Sequence, residues 1–173
     1  MSNHIILIGY MGCGKTTLGK KLSFRKKIAL LDTDKMIEQK QRKKVSQIFD
    51  EDGEAAFRMM ETECLKEIKS YSDRYVISVG GGLPLKEENR KLLKELGCVF
   101  YLRARPDTIY GRLKNDTTRP LLRGDNPADK IRKMIEARDP LYREAADVIV
   151  DVDEKGYEKI IGEILKGMKG KDK

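Results

Sequence analysis

The stretch "LIGYMGCGKTTLGKKL", residues 7–22, restricts the possible folds of this chain more than any other. An apolar run at residues 5–8 meets Gly9, Gly12 and Gly14 in quick succession. Lys15, Thr16 and Thr17 come next, and a helical pattern follows. Glycines this dense mark a turn in which backbone, not side chain, faces the ligand. Gly9, Gly14, Lys15 and Thr16 satisfy G-x-x-x-x-G-K-[ST], with a strand before and a helix after. In such a P-loop, successive N–H groups converge on one concavity and the helix adds its positive end. The motif predicts that Lys15 reaches the terminal phosphates of a nucleotide and that the Thr16 hydroxyl ligates Mg²⁺.

Phosphate binding leaves the acceptor open. No N-K-x-D motif for reading a guanine base is present, and 173 residues are few for an ATPase motor. A small-molecule or nucleotide kinase remains. The rest of the pattern agrees. Apolar runs predict strands over residues 5–8, 29–31, 75–79, 98–102 and 148–152. Helical patterns fall at 15–22, 34–42, 54–69, 86–96, 107–113, 128–138 and 157–168. The strands are short and lack alternation, as expected when both faces are buried. Strand and helix alternate, which predicts one α/β domain: a parallel sheet with helices on both faces. Residues 114–127, "KNDTTRPLLRGDNP", read as a mobile loop, and the tail at 169–173 as frayed.

Charge sets a competing class. The net charge of +8 suits anionic substrates, but also a nucleotide-gated protein that binds nucleic acid. The basic residues are mostly interleaved with acids, however, and aromatics are only 6%, so a basic stripe with stacking rings is missing. The expectation is no nucleic-acid partner, no membrane segment and a cytoplasmic location. Cys13, Cys64 and Cys98 fit neither a zinc site nor a disulfide framework. The lone histidine, His4, precedes the first expected strand and reads as structural, so any general base is a carboxylate.

Three further groupings bear on the acceptor. "LLDTDKMI" puts Asp32 and Asp34 at the carboxyl end of the second strand, where open α/β sheets bind ligands. One could hold Mg²⁺ through water and the other a substrate hydroxyl; alternatively, Asp34 only caps the next helix. "SVGGGLP" carries three glycines where a tight turn needs one or two, so either a ligand packs on the backbone or the turn is merely flexible. Arg138 follows Ile131, Met134 and Ile135 on an apolar stripe, and an inward arginine needs an anion. Arg58 borders the apolar face of its helix, with Glu61 as a possible partner one turn on. Arg119 lies in the mobile loop. Two fixed arginines and one mobile one suggest an acceptor with a carboxylate, under a closing lid.

Taken together, "GYMGCGKTTLGKKL", "LDTD", "IFDEDGEAAFRMMETECL", "VISVGGGLP", "TRPLL" and "RDPLYREAADVIVD" make the chain resemble the shikimate kinases over nearly its whole length. The resemblance implies a P-loop kinase fold like that of nucleoside monophosphate kinases, with five parallel strands and a lid. It implies ATP-dependent phosphorylation of the shikimate 3-hydroxyl, in aromatic amino-acid biosynthesis, by a monomer using Mg²⁺. Carried onto this sequence, Gly12, Cys13, Gly14, Lys15, Thr16 and Thr17 would hold the phosphates. Thr16 and Asp32 would serve the metal, Asp32 through water. Asp34 would bind shikimate hydroxyls, including the attacking one. Arg58 and Arg138 would clamp the carboxylate, with Gly81 and Gly82 lending backbone contacts. Arg119 would act from the lid with Lys15 on the transferring group, and Arg112 would lie near adenine, with Lys155 a further candidate. Kinases of a sugar acid such as gluconate, or of a nucleoside monophosphate, are the rivals on the same scaffold. The basic "SFRKK" segment departs slightly from the family pattern, outside the motifs.

Overall fold

A computed structural model describes residues 3–118 and 123–169 of the chain. Arg119 and residues 170–173, in the expected lid and tail, lie outside the described residues. Every expected strand forms: β1 His4–Ile8, β2 Ala29–Asp32, β3 Tyr75–Ser78, β4 Gly97–Arg103 and β5 Val148–Asp151. They make one parallel sheet in the order β2-β3-β1-β4-β5. Ile5 of β1 stands between Val76 and Cys98. All five residues of β1 are buried, as the unbroken apolar run required. His4 lies within β1 rather than before it; its Nδ1 accepts from the Tyr75 N–H at 3.2 Å.

The helices are α1 Lys15–Lys26, α2 Thr33–Gln41, α3 Val45–Glu51, α4 Glu54–Lys69, α5 Glu87–Leu96, α6 Pro106–Leu113, α7 Pro127–Ala145 and α8 Tyr157–Lys169. The crossover from β1 to β2 runs one way along the sheet, and that from β3 to β4 runs the other. Right-handed crossovers therefore set α1 and α5 on opposite faces. α8 packs beside α1, and α7 beside α5 and β4. Leu18 and Leu22 of α1, Leu93 and Leu96 of α5, and Ile160 and Ile164 of α8 fill the space against the sheet.

Three helices depart from expectation. α3 was not anticipated, because seven residues are too few to hold a helix alone. Packing supplies what propensity lacks: Ile48 is fully buried, and the Phe49 ring meets Phe57 of α4 at 4.9 Å. α7 does not stop at Arg138 but continues through Pro140 to Ala145. Pro140 and Glu136 are both exposed, so the carbonyl that the proline leaves unbonded faces water. Buried Tyr142 and Ala145 anchor the helix beyond the proline. α8 also reaches Lys169, one residue into the expected frayed tail.

If packing alone holds α3, truncating its buried anchor will release it. Ile48→Ala is expected to cost about 2–5 kcal/mol in chemical denaturation and to speed amide exchange across α3 first. A loss below about 1 kcal/mol would show that α3 rests on something else.

Candidate active site

The ends of β1, β2 and β3 open into one cleft of about 450 Å³. Its floor is the P-loop. Gly14, the N-cap of α1, has φ 103°, a left-handed conformation that a side chain resists. That turn aims the free N–H groups at the start of α1 into the cleft, where they favour an anion. The Lys15 ammonium folds back on its own loop, donating to the Gly9 carbonyl at 2.7 Å and the Tyr10 carbonyl at 3.1 Å. Lys15, Thr16 and Thr17 all line the cleft, as does Gly12. Cys13 does not: it is buried, with its Sγ 3.7 Å from the Lys15 Nζ. Its backbone N–H is also taken, donating to the Tyr10 carbonyl at 3.2 Å.

Asp32 and Asp34 face this floor from the end of β2. The cap of α2 is Asp32, whose Oδ1 accepts from the Lys35 N–H at 3.1 Å. Asp34 sits in the first turn with a different environment. Its Oδ1 is buried and has no hydrogen-bond partner among the described residues. Burial, then the neighbouring Asp32 charge, raises its carboxyl to about 6, with Lys15 opposing. An acceptor kept dry and unpaired at a cleft wall is suited to a ligand hydroxyl.

The triple-glycine turn follows β3 and forms the adjoining wall. Its outer glycines are the tight ones. A Cβ at Gly80 would lie 2.6 Å from the Asp34 Oδ1, and one at Gly82 would collide with the Arg58 guanidinium. The middle residue, Gly81, has ordinary space, with the Arg138 Nη1 at 3.7 Å from its Cβ position. Only glycine lets carboxylate and guanidinium approach the turn this closely.

Arg58 is tied at both ends of its fork, to Glu61 at 2.8 Å and Glu54 at 3.2 Å. Glu61 is 1% exposed, and burial raises its carboxyl while Arg58 opposes that shift. Arg138 is half-buried over the Tyr10 ring at 5.6 Å and has no ion pair among the described residues. Arg112 reaches the site from α6, its Nη1 donating to the Gly12 carbonyl at 2.8 Å. Lys155 is placed differently: it pairs with Glu163 of α8 at 2.8 Å and does not line the cleft. The nearby cleft-lining residue is Tyr157, which was not anticipated. Its only sequence signal is an aromatic at the start of an expected helix, and the Lys21 ammonium lies 5.2 Å from its ring.

A larger groove of about 900 Å³ lies between α2 and α4, lined by Met36, Met59, Met60 and Cys64 among others. It contains none of the expected site residues. No helix among the described residues is long and apolar enough to cross a membrane.

Comparison with known proteins agrees with this geometry. A family model described as shikimate kinase matches residues 11–169. A shikimate kinase of Pseudomonas paraeruginosa is 40% identical over 166 residues, covering 96% of each chain. One from Thermodesulfovibrio yellowstonii is 41% identical over 163 residues, covering 94% of this chain and 93% of its own. The structure of the Acinetobacter baumannii shikimate kinase in complex with shikimate superposes with a TM-score of 0.89 at 36% identity, over 100% of this chain and 97% of that one. The P-loop, Asp34 and Arg112 line one cleft, Arg58 and Arg138 lie against the glycine turn beside it, and the chain belongs to the shikimate kinase family.

Proposed function

We propose that this chain transfers the γ-phosphoryl group of ATP to the 3-hydroxyl of shikimate, and that the cleft residues divide the work as follows. The observation that carries the assignment is the buried, unpartnered Asp34 Oδ1 on the wall beside the P-loop. Asp34 accepts a hydrogen bond from the attacking hydroxyl and takes its proton as the bond to phosphorus forms. Arg138 and Arg58 receive the carboxylate, and the Gly81–Gly82 backbone packs against the ring. Arg138 has the open fork for a planar anion. Arg58 adds charge while Glu61 and Glu54 hold its direction.

The P-loop N–H groups and Lys15 bind the phosphates, Lys15 exchanging two loop carbonyls for them. The N–H groups of Gly12, Gly14, Thr16 and Thr17 surround them, and Cys13 packs beneath. Arg112 and Tyr157 offer a guanidinium plane and an aromatic face at the cleft margin, both suited to stacking a base. Lys155 fixes the turn before α8 through Glu163 and so supports that margin. Arg119 completes the charge around the transferring group from the lid at 114–127.

Thr16 and Asp32 suit Mg²⁺. Both line the cleft, and no group of three or more acidic, histidine or cysteine side chains able to hold a metal occurs among the described residues. That matches an ion held by one or two protein oxygens and completed by water and phosphate. Bound there, Mg²⁺ offsets the phosphate charge. The reading assigns all of these roles to a monomer.

The direct test is Mg-ATP turnover across shikimate, quinate, gluconate and nucleoside monophosphates. Turnover is expected with shikimate; activity with another acceptor and none with shikimate would refute the assignment. Asp34→Asn is expected to lower kcat by about 10²–10³ at neutral pH without unfolding the protein. The wild-type kcat/KM for shikimate should fall as pH drops through about 6, because only ionised Asp34 accepts the hydroxyl proton. A profile flat through that value would remove Asp34 from proton transfer.

The arginines separate by kinetics. Arg138→Lys keeps charge but loses the fork, and should raise the KM of shikimate about tenfold with little change for ATP. Arg119→Ala should lower kcat about 10²-fold or more, because a lid contact forms mainly in the closed complex. If Arg119→Ala altered shikimate binding alone, the lid role would be wrong.

A further inference from the structure

The "RDPLY" segment, 138–142, holds a tyrosine to which the reaction assigns no part. Tyr142 is fully buried in α7, in the stretch beyond the proline. Its hydroxyl donates to the Gly81 carbonyl at 2.6 Å, across 61 residues of sequence. Its ring lies 5.1 Å from that of Tyr101 on β4. Tyr101 in turn donates to Asp139 at 2.9 Å, so two adjacent buried hydroxyls serve different partners. Burial pushes the Tyr142 hydroxyl up to about 12, with Arg138 opposing, so it stays a donor at neutral pH.

The turn needs such a donor. Three successive glycines lose more conformational freedom on ordering than any other residues, and they have no side chains to pack. Gly80 is held by its N–H donating to the Thr33 hydroxyl at 3.0 Å. Leu83 is held by Asn89, whose Nδ2 donates to its carbonyl at 3.0 Å. Between these anchors, the Gly81 carbonyl is held by Tyr142. The peptide is trans, so fixing that carbonyl also fixes the Gly82 N–H on the opposite side. The Arg138 guanidinium, one turn earlier on α7, also borders Gly81, its Nη1 3.7 Å from the Gly81 Cβ position.

We propose that Tyr142 is a positioning residue, which locks the Gly81–Gly82 peptide and the Arg138 guanidinium into a single arrangement for the shikimate carboxylate. The proposal rests on Arg138 and the triple-glycine turn contacting shikimate.

The test compares Tyr142→Phe with Tyr101→Phe. Each removes one buried hydroxyl from the same ring pair and leaves the ring. Tyr142→Phe is expected to raise the KM of shikimate about three- to tenfold, with the KM of ATP changed less than about twofold. Tyr101→Phe is expected to lower the Tm comparably and to leave the KM of shikimate within about twofold. An unchanged KM of shikimate in Tyr142→Phe would overturn the proposal, and so would an equal rise in Tyr101→Phe. A Tyr142→Phe protein that fails to fold while Tyr101→Phe folds would make Tyr142 a scaffold residue and also refute it. Arg138→Lys, measured alongside, separates the levels. If it raises the KM of shikimate and Tyr142→Phe does not, only the positioning role falls. If it leaves that KM unchanged, the carboxylate clamp falls, and the positioning role with it.

Discussion

Parallel pairing of β1 with both β3 and β4 decides where everything else can act. The chain leaves β1 toward one edge of the sheet and later crosses back to the other. The connections diverge at the carboxyl end of β1, and a crevice opens there that no side chain has to carve. The P-loop occupies it because the loop directly follows β1. Asp34 and the triple-glycine turn reach it because β2 and β3 are the next strands outward. Arg58 and Arg138 arrive from helices over the same end. One pairing order thus gathers five segments that are far apart in sequence.

Inside the crevice, charge is arranged unevenly, and the unevenness is what a substrate can use. Lys15 is satisfied by carbonyls, Arg58 by two glutamates and Arg112 by the Gly12 carbonyl. Asp34 keeps a buried oxygen without a partner, and Arg138 has no ion pair among the described residues. Unpaired polar atoms cost stability when dry. The sign for Asp34 can be worked out. Its folded-state pKa is raised from 3.8 to about 6, so the folded chain holds that proton more tightly than the unfolded one. The stabilisation is full below the lower value and is lost as pH rises through about 6. At neutral pH the protein therefore carries an ionised Asp34 at the expense of stability, as expected of a functional carboxylate.

Much of this was legible in the residues. The P-loop, the five strands and the inward Arg138 followed from spacing and apolar period, because those are local properties. Asp32 and Asp34 were placed correctly at the strand end, but which of them caps α2 depended on hydrogen bonds that spacing does not encode. The triple glycine was read as a ligand surface in its last two residues. The structure shows that Gly80 and Gly82 carry the steric demand, because side chains from α2 and α4 press on them. α3 escaped notice because its stability is tertiary. The end of α7 was misread because Pro140 looks like a stop when its exposure is unknown. Tyr142 lay beyond the expected end of its helix, and Tyr157 offered only an aromatic at a helix start, so neither carried a sequence signal for the site. Arg119, proposed for the lid, lies outside the described residues.

The glycine turn links these points. Asp34 presses on its first residue and the Arg58 guanidinium on its last, while Arg138 lies beside the middle one. Asp34 and the two arginines are therefore separated by a span of backbone, with no adjustable side chain between them. Any bulk added at Gly80 or Gly82 would push one of these groups away from the other, whereas Gly81 has room. An acceptor whose hydroxyl and carboxylate match that spacing meets both at once. Under the proposed roles, one with a longer or shorter reach gains only half the contacts. Discrimination of that kind comes from unsatisfied polar groups rather than from shape, and it is the stronger of the two. Under the proposed roles, the ruler for acceptor length is two peptide units of polyglycine, held in place by helices on either side.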